Sequence, residues 1–179
     1  MVLRPPVEPM LAQAAEALPG LAVLRAGVAY EQKLDGHRTI LFTQAGPGGR
    51  VLLQTRRGSL VQDRWPDLVA AAEAQLPGGL VLDGELVVWD TEAGRLSFEA
   101  LQRRAAARAR GAARLAARWP AYFVAFDVLQ LDGEELLQRP YAERRARLEG
   151  LFAEHGLTAP WTLVPMTTDL AKAQEWLQT

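Results

Sequence analysis

The sequence predicts an α+β fold in which mostly antiparallel sheets are flanked by helices. Short apolar segments near the start are joined by turn residues, as in β-hairpins. Longer apolar strands later in the chain alternate with helical segments, so helices are expected to cover the sheets. With 179 residues, of which 49% are hydrophobic and 23% charged, the chain has the length and composition of one packed domain.

The first half of the chain is expected to hold two helices around a set of strands. The segment VEPMLAQAAEALP (7–19) reads as a helix that ends at Pro19-Gly20, and a second helix over 66–76 has proline in its first turn. The loop AGPGG joins two of the strands as a hairpin. Strands are predicted near 27–34, 38–44, 50–55 and 79–90.

The second half of the chain alternates helices and strands. A long helix is predicted over 97–118 with a break at Gly111, and AYFVAFDVLQLDG (121–133) reads as a strand that closes in a turn. The remaining elements are a helix over 141–155, a strand over 161–166 and a helix over 169–178.

Composition excludes several classes of protein. The net charge is −1, so a polyanion would have to be met by a local patch and not by a global positive field. No cysteine occurs, which excludes disulfides and thiolate metal sites. The start of the chain lacks the apolar region of a signal peptide, and no apolar run is long enough for a membrane span. We therefore expect a cytoplasmic protein without membrane contact.

A lysine between two acids marks the predicted strand over 27–34. Lys33 is one of two lysines in a chain whose other 18 basic residues are arginines. Because side chains alternate between the faces of a strand, Glu31, Lys33 and Asp35 are predicted to point the same way. Taken alone, this row reads as a solvated face of the sheet.

Carboxylates also interrupt the two most apolar strands. Asp83 and Glu85 share one face of the first strand, and Asp127 follows Phe126 in the second. An unpaired buried carboxylate costs several kcal/mol, so each acid is paired with a cation or lines a cavity where a ligand satisfies it. One such acid indicates a structural salt bridge. Three interrupted strands, counting the one over 27–34, favour the walls of one polar pocket.

Four segments in order resemble the motifs of a known enzyme family. They are EQKLDGHR (31–38), similar to the signature Lys-x-Asp-Gly-x-Arg; TRRG (55–58), similar to Ser/Thr-Arg-x-Gly; LDGELVVWD (82–90), similar to the Asp-Gly-Glu strand; and FVAFDVLQLDG (123–133), similar to the Phe-Asp strand. With EPML near the start and FEALQRR after the third segment, the chain resembles the adenylation domain of bacterial ATP-dependent DNA ligases of the end-joining type. This resemblance implies a nucleotidyltransferase fold, the ATP-grasp-like fold of ligase adenylation domains.

The resemblance implies that Lys33 is the catalytic nucleophile. In this family a lysine amine attacks the α-phosphorus of ATP, expels pyrophosphate and holds AMP as a phosphoramidate. Arginine cannot replace it, because a guanidinium stays protonated. Free lysine has a pKa of about 10.4, so the site is expected to lower that pKa through desolvation or nearby cations. ATP and Mg²⁺ or Mn²⁺ are the implied cofactors.

The same resemblance implies roles for residues around the nucleotide. Glu31 matches the acid that faces the adenine amino group, and Phe126 matches the ring that stacks on adenine. Arg38 and Arg56 match arginines that contact ribose and phosphate, and Glu85 matches the ribose-binding carboxylate. Without their motifs, the two arginines read as surface ion-pair partners and Phe126 reads as core.

Smaller contributions are implied for three further residues. Gly36 and Gly84 are expected to permit close approach of the backbone to the nucleotide. Asp35 is expected to bind the nucleotide and to reach the metal ion through water. Lys172, on a predicted surface helix, reads as a solvated side chain, and His37 is given no catalytic role.

Two later motifs of the family do not occur within the 179 residues. After Phe126 the only lysine is Lys172, so a Glu-Gly-x-Val-x-Lys strand and a Lys-x-Lys strand are both missing, as is the oligonucleotide-binding barrel of ligases. We therefore expect residues 1–179 to be a partial adenylation domain, incomplete at the C-terminus and impaired when alone. The expected partners are the missing C-terminal ligase segments and, through the parent protein, nicked or broken double-stranded DNA in repair and recombination. The chain itself is expected to be a monomer.

Other functions and the role of one helix stay open. The chain also fits a non-catalytic nucleotide- or DNA-binding ligase remnant, or an RNA ligase or capping-type nucleotidyltransferase. In the helix over 97–118, arginines at helical spacing predict either a track for DNA phosphates or a solvated face. These arginines are Arg104, Arg108, Arg114 and Arg118.

Overall fold

The computed structural model describes residues 2–178. The chain forms two compact units, Met1–Pro9 with Asp35–Leu163 and Met10–Leu34 with Val164–Thr179. The strands are β1 (Tyr30–Glu31), β2 (His37–Thr43), β3 (Val51–Thr55), β4 (Leu80–Asp90), β5 (Arg95–Leu96), β6 (Ala121–Leu131), β7 (Glu134–Glu135), β8 (Trp161–Leu163) and β9 (Met166–Thr167). The helices are α1 (Pro66–Gln75), α2 (Phe98–Ala106), α3 (Ala109–Arg118), α4 (Tyr141–Glu154) and α5 (Leu170–Trp176), with a 3-10 turn at Gln62–Arg64.

The larger unit is built on one sheet with β4 and β6 at its centre. Strands β3, β2, β4, β6 and β7 follow one another in antiparallel order, β5 pairs with the end of β4, and β8 pairs with β6 in parallel. Because β2 lies directly beside β4, residues of the two strands come face to face, and Arg38 lies opposite Glu85.

Helices cover one face of this sheet. Leu41, Leu82 and Phe123, from β2, β4 and β6, form a buried cluster with Leu68 of α1 and Leu148 of α4. All five side chains are fully enclosed. Burial of each such side chain contributes about 1.5–3 kcal/mol, so this helix-covered core holds the larger unit together.

The opposite face is covered in part by residues 3–7, which we call the N-terminal strap. A second buried cluster on this face consists of Ile40, Phe42, Val81 and Leu129, and Leu3 and Val7 of the strap pack against it. Two buried glutamines hold the strap by its main chain. The side-chain amide of Gln54 accepts a hydrogen bond from the Val7 N–H (2.8 Å) and donates one to the Val7 carbonyl (2.7 Å). Gln130 Oε1 accepts a hydrogen bond from the Leu3 N–H (2.7 Å).

Strand β6 contains two β-bulges. The register partners are Val81↔Gln130 followed by Leu82↔Val128, and Asp83↔Asp127 followed by Gly84↔Ala125. Leu129 and Phe126 are therefore the extra residues of β6. Ala125 and Val128 both belong to the helix-covered core, so the two residues between them, Phe126 and Asp127, lie where the regular alternation of faces is interrupted. The bulge thereby places an aromatic ring and a carboxylate next to each other.

The smaller unit contains a two-stranded sheet and one short helix. β1 pairs with β9 in antiparallel order, and the Gln32 N–H donates to the Pro165 carbonyl at 3.2 Å. The Tyr30 hydroxyl donates to the Pro19 carbonyl at 2.6 Å, which fixes part of the irregular segment before β1. Asp169 caps α5 by accepting a hydrogen bond from the Ala171 N–H at 2.9 Å.

Most predicted elements are present within a few residues of their predicted bounds. The strands predicted near 38–44, 50–55 and 79–90 correspond to β2, β3 and β4, and the strand over 121–133 corresponds to β6 with its turn. The helices over 66–76, 141–155 and 169–178 correspond to α1, α4 and α5. The predicted α+β class with mainly antiparallel pairing is confirmed.

The helix predicted over 7–19 is wrong. The segment has no helical residues, and its apolar side chains Met10 and Leu11 are exposed, at 71% and 57%. A short helix in water depends on burial of an apolar stripe, and this segment buries none at those positions. The strand predicted over 27–34 is also shorter than expected, because only Tyr30–Glu31 pair in a sheet.

Two other boundaries differ from the prediction. The strand over 161–166 is divided into β8 and β9, and Pro165, which has no N–H to give to a ladder, lies between them. The helix over 97–118 breaks at Ala107 and Arg108, both in extended backbone, and not at Gly111. Alanine and arginine both favour helices, so tertiary packing and not local propensity sets this break.

Candidate functional site

An arginine–aspartate pair lies on the face of the sheet that the helices leave uncovered. Arg38 Nε and Nη2 donate to the two carboxylate oxygens of Asp83, each at 2.6 Å. The Asp83 side chain is 5% exposed and the Arg38 side chain 23% exposed. The guanidinium is thus held as a planar fork at the edge of solvent. Its third nitrogen, Nη1, makes no hydrogen bond to any residue between 2 and 178.

The ring of Phe126 lies against this guanidinium. Arg38 Cζ is 4.7 Å from the ring centroid, a distance at which a cation and an aromatic face attract each other. Phe126 is the extra residue of a β-bulge and is partly exposed, unlike its neighbours Ala125 and Asp127. The ring is therefore not plain core, and it forms a wall of this face together with Arg38.

Gly36 and Glu85 meet at the start of β2. The Gly36 N–H donates to Glu85 Oε1 at 3.2 Å. A Cβ atom at Gly36 would collide with the Leu86 carbonyl oxygen and would lie 2.8 Å from Glu85 Cγ and 2.9 Å from Val87 Cγ1. Glycine is required here because β2 begins so close to β4.

The structural reason for Gly84 differs from the predicted one. A Cβ atom there would lie 2.6 Å from the Phe123 ring and from the Val124 carbonyl oxygen. Gly84 thus permits close packing of β4 against β6 on the core side. This packing alone requires glycine at position 84, and the predicted approach of a nucleotide there stays a prediction.

Asp127 is a member of a structural ion pair. Arg144 of α4 donates to both of its carboxylate oxygens, from Nε at 2.8 Å and from Nη2 at 2.9 Å. Asp83 and Asp127 lie opposite each other across β4 and β6, and each has its own arginine. The prediction that the three interrupted strands line one polar pocket is therefore wrong for Asp127, because Arg144 of α4 already pairs with it.

Burial and charge shape the electrostatics of this face. Burial raises the pKa of the Asp83 carboxyl, and the neighbouring Asp127 charge adds to this, against the lowering effect of the Arg38 hydrogen bonds. The hydrogen bonds to Asp83 raise the pKa of Arg38, so the guanidinium stays charged. Burial lowers the pKa of His37, whose ring lies edge-on to Phe98 at 5.9 Å. No role was predicted for His37, and its contact here is with an aromatic side chain.

Arg56 and Asp35 are exposed residues of the larger unit. Arg56 lies in the turn after β3, which closes through a hydrogen bond from the Gly58 N–H to the Thr55 carbonyl (2.9 Å). Gly58 has a φ of 91°, a conformation that favours glycine. The TRRG segment thus builds a tight turn that presents Arg56 to solvent.

Glu31 and Lys33 belong to the smaller unit. Glu31 lies in β1, and Lys33 follows it outside the strand. The prediction that Glu31, Lys33 and Asp35 share one strand is wrong, because β1 ends at Glu31. Their exposure nevertheless alternates with that of Gln32 and Leu34, as in an extended chain. Lys172 is exposed at 55% and forms an ion pair with Glu175, as expected for a surface residue.

The arginines over 97–118 do not form one track. Arg104 is fully buried and donates to both carboxylate oxygens of Asp67, at 2.9 and 2.7 Å. Its guanidinium also lies 4.5 Å from the centroid of the Trp65 ring. Arg118 pairs with Glu92 at 3.2 Å on the surface. The predicted face that would include Arg104 and Arg118 is therefore wrong.

No signal in the sequence indicated the pairing of Arg38 with Asp83 or the involvement of Arg144. Asp83 was recognised as a buried acid, but its partner Arg38 lies 45 residues away and no local spacing connects the two. Arg144 had no signal, because a helix with several arginines looks like a solvated helix. Only the strand register, which places Asp83 beside Asp127, brings these side chains into one network.

A self-contained metal centre and a membrane-crossing helix are both missing from the described part of the chain. Within residues 2–178, no three His, Asp or Glu side chains gather in a way that could hold a metal ion. In the same range, no helix has both the length and the apolar character that a bilayer crossing requires.

Both the fold and the sequence of this chain are similar to those of known ligases. The structure matches solved ligase domains with a nucleotidyltransferase fold. A family model described as ATP dependent DNA ligase domain matches residues 9–179, and the chain belongs to this family. This membership decides against the RNA ligase and capping-enzyme alternatives.

Two similar curated proteins are mycobacterial DNA ligases. The chain is 42% identical to DNA ligase C2 of Mycolicibacterium smegmatis over 172 residues, which cover 96% of this chain and 45% of that protein. It is 41% identical to DNA ligase C of Mycobacterium tuberculosis over 174 residues, which cover 96% of this chain and 46% of that protein. The chain thus spans about half the length of these relatives.

Solved structures give the same match. A mycobacterial DNA ligase D complexed with ATP and MES is similar with a TM-score of 0.61 and 32% identity, over 84% of this chain and 44% of that one. The ligase domain of LigD from M. tuberculosis has a TM-score of 0.58 and 30% identity, over 83% of this chain and 44% of that one.

Proposed function

We propose that this chain is the nucleotide-binding part of a DNA ligase adenylation domain, in which Lys33 becomes covalently linked to AMP. The observation that carries the proposal is the wall formed by Arg38, Phe126 and Glu85 beside Gly36. These residues lie in the motifs by which the chain resembles the family.

Lys33 is tied to this wall by the chain itself. Only Leu34 and Asp35 separate it from Gly36, so covalent geometry keeps the two Cα atoms within about 11 Å of each other. Lys33 is also one of the exposed residues. An amine at this position is what the proposed reaction needs, since the other basic residues of the motifs are arginines.

The proposed reaction is a nucleophilic substitution at phosphorus. The Lys33 Nζ forms a bond to the α-phosphorus of ATP, and the bond from that phosphorus to the bridging oxygen of the β-phosphate breaks. Pyrophosphate leaves with the electron pair, and the amine proton passes to water. The lysyl-AMP is then used to seal nicks or breaks in DNA, in repair or recombination.

The wall supplies binding groups for the nucleotide. The partly exposed Phe126 ring offers a face for adenine, and Glu85 offers a carboxylate to accept a ribose hydroxyl. Arg38 keeps Nη1 for ribose or phosphate while Asp83 holds its other two nitrogens. Arg56 adds an exposed cation for phosphate, and Glu31 is proposed to face the adenine amino group.

A divalent ion fits the acids of this region only together with the nucleotide. Mg²⁺ prefers oxygen ligands, and it usually combines one or two carboxylates with phosphate oxygens. Asp35 is exposed and immediately precedes Gly36, whose N–H contacts Glu85, so its carboxylate lies beside the proposed site. Asp35 would hold Mg²⁺ or Mn²⁺ there, and the bound ion would neutralise charge on the phosphates.

Replacement of Lys33 by arginine tests the covalent step. Lys33→Arg keeps the charge but removes the amine that can lose its proton, so we expect loss of AMP labelling with unchanged thermal stability. The assay follows label from α-labelled ATP on denatured protein. It uses residues 1–179 and a fusion that adds the Lys-x-Lys segment of a ligase relative.

The matched control is Lys172→Arg, which changes an exposed lysine in a surface ion pair and should leave labelling unchanged. Label that stays on the Lys33→Arg variant after denaturation would remove Lys33 from the reaction. Equal loss in both variants would point to a general effect of lysine content.

Glu85→Gln tests the contact with ribose. This variant should weaken ATP binding more than binding of 2′,3′-dideoxy-ATP, because the lost partner is a ribose hydroxyl. The expected difference is about 1.5–3 kcal/mol, the contribution of a hydrogen bond to a charged group. Glu99→Gln, on an exposed glutamate that pairs with Arg103, serves as the control. Equal losses for both nucleotides would exclude Glu85 from the ribose.

We also propose that residues 1–179 alone react slowly. Within them, Lys33 and Lys172 are the only lysines, so the cations that a Lys-x-Lys strand brings to the α-phosphate are not supplied. Adenylation by these residues should be far slower than by the fusion described above. Comparable rates would show that the partial-domain interpretation is wrong.

A further inference from the structure

Two buried ion pairs lie side by side: Arg38–Asp83 on the uncovered face of the sheet, and Arg144–Asp127 between α4 and β6. Asp83 of β4 and Asp127 of β6 are register partners, so two carboxylates face each other across neighbouring strands. Arg38 binds the first through two hydrogen bonds of 2.6 Å, and Arg144 binds the second through hydrogen bonds of 2.8 and 2.9 Å. Two ionised carboxylates this close repel each other, and each one stays charged only because an arginine pairs with it.

Arg144 is held so firmly that it can act as a fixed charge. Arg144 is 9% exposed. While its Nε and Nη2 bind Asp127, its Nη1 donates to the Arg139 carbonyl at 2.6 Å. The hydrogen bonds to Asp127 raise the pKa of Arg144, so the guanidinium remains protonated. The side chain therefore neutralises Asp127 from the helix side.

We infer that Arg144 is a positioning residue for the nucleotide site, because by neutralising Asp127 it leaves Asp83 to hold the Arg38 guanidinium on the Phe126 ring. The effect on nucleotide binding rests on the function proposed above. The geometric part, the placement of Arg38, does not rest on it. Arg144 lies on α4, outside the four motifs that resemble the family.

The physical reason is competition for one cation. Without Arg144, Asp127 would be a buried carboxylate beside Asp83, and Arg38 would be the remaining cation of the network. Arg38 would then be drawn from its fork on Asp83 and away from the ring centroid that now lies 4.7 Å from Cζ. Alternatively the two carboxylates would share a proton, which also weakens the hold of Asp83 on Arg38.

The charges around Asp83 favour this competition. Arg38 faces it from β2 and Asp127 from β6, while Glu85 of β4 also interacts with the Arg38 charge. On α4, Arg144 pairs with Asp127, and Tyr141 interacts with the Arg144 charge. Burial already raises the pKa of Asp83, and an uncompensated Asp127 would raise it further. Removal of Arg144 should therefore shift proton uptake by this network to higher pH.

The test compares four variants with the wild-type chain. Arg144→Met removes the charge and Arg144→Lys preserves it. The double variant Asp127→Asn with Arg144→Met removes both charges of the pair. Arg147→Met, on the same helix, removes an arginine that pairs with Glu134 and Glu143 on the surface, and it is the matched control.

Two readouts are made on each variant, at temperatures where all are folded. One is the dissociation constant of ATP between pH 4.5 and 8, because a carboxyl with a raised pKa, as burial gives Asp83, titrates on the acid side of neutral pH. The other is the Nε–H resonance of Arg38, whose protection from water reports the fork on Asp83 without any nucleotide.

We expect Arg144→Met to weaken ATP binding about tenfold at pH 7 and to move the acid limb of the binding profile up by about one pH unit, a shift of one pKa unit being equivalent to a factor of ten. Its Arg38 Nε–H signal should be lost. Arg144→Lys should keep part of the wild-type ATP affinity and Arg38 signal, and the double variant should keep most of both. Arg147→Met should resemble the wild type.

Opposite results would overturn the inference. If Arg144→Met only lowers thermal stability, with the ATP profile and the Arg38 signal unchanged, Arg144 has a structural role alone. If the double variant behaves like Arg144→Met, repulsion from Asp127 is not the cause. If the wild type binds no ATP, the proposed function fails. The placement of Arg38 is then tested by its Nε–H signal alone, which should be lost in Arg144→Met and kept in Arg147→Met.

Discussion

Two regions of the larger unit contain the same three-part arrangement of arginine, aspartate and aromatic ring. Under the helices, Arg104 binds Asp67 through two hydrogen bonds and lies 4.5 Å from the Trp65 ring centroid. On the uncovered face, Arg38 also binds Asp83 through two hydrogen bonds, here from Nε and Nη2, and lies 4.7 Å from the Phe126 ring centroid.

The two arrangements differ in what surrounds the guanidinium. Arg104 is 0% exposed, and it also donates to the carbonyls of Trp119 (2.9 Å) and Arg64 (3.3 Å). Arg38 is partly exposed and keeps Nη1 without a hydrogen bond within residues 2–178. The first arrangement is closed by the protein, and the second leaves one donor toward solvent.

The carboxylates differ as well. Burial acts to raise the pKa of Asp67, but hydrogen bonds from Arg104 and from the Ala121 N–H outweigh it and hold that pKa below its usual range. Burial raises the pKa of Asp83, which has Asp127 as a neighbour. The same local arrangement therefore stabilises a core where the protein encloses the guanidinium, and it prepares a binding face where one nitrogen is left at the edge of solvent.

The largest expected contrast comes from removal of each arginine. Arg104→Met should lower the free energy of unfolding by about 3 kcal/mol, the low end for breaking a buried ion pair, because Asp67 keeps some contact with water. Two carbonyls would also lose their donor. Arg38→Met should destabilise less and weaken ATP binding by about 1.5–3 kcal/mol. Urea unfolding and ATP titration measure the two effects; equal stability losses would mean that the two arrangements are equivalent.

A second contrast comes from the aromatic members. Phe126→Ala should weaken ATP binding by about 1–3 kcal/mol, the range for stacking of a base on an aromatic ring. Trp65 is buried in the helix-covered core, so Trp65→Leu should lower stability and leave ATP binding of the folded protein unchanged. Fluorescence titration at a temperature well below both unfolding midpoints provides the comparison. ATP affinity that is unaffected in Phe126→Ala would remove the ring from the nucleotide.

The smallest contrast is the pH dependence of stability. Because the pKa of Asp67 is lowered in the folded state, its contribution is present above the ordinary value of 3.8 and is lost as the pH falls. The pKa of Asp83 is raised, so its contribution is present at low pH and is lost as the pH rises through the folded value. Melting-temperature differences between wild type and variant should therefore shrink toward low pH for Asp67→Asn and toward neutral pH for Asp83→Asn. Parallel trends would contradict this assignment.

The sequence predicted the sheet better than the segments around it. β4 and β6 carry long apolar runs that only a strand explains, and turn residues mark the hairpin between β2 and β3. The helix over 7–19 failed because alanine and leucine favour a helix only where a partner buries its apolar stripe. No local signal says whether that partner exists.

The candidate site was predictable in its residues and not in its connections. The alternation that placed Asp83 and Glu85 on one face agrees with the packing of Leu82 and Leu86 in the helix-covered core. The bulge at Phe126 is invisible in sequence, since nothing local distinguishes an extra residue from a paired one. The partnership of Arg38 with Asp83 follows from strand register, which is set by the whole sheet.

The N-terminal strap determines where this protein can be shortened for expression. Its hydrogen bonds to Gln54 and Gln130 run through main-chain groups, so a purification tag placed ahead of the strap leaves them intact. A chain begun at Pro9 would instead uncover the cluster that contains Phe42 and Leu129. Such a product should be recovered mainly from inclusion bodies, although every residue of the nucleotide wall would still be present.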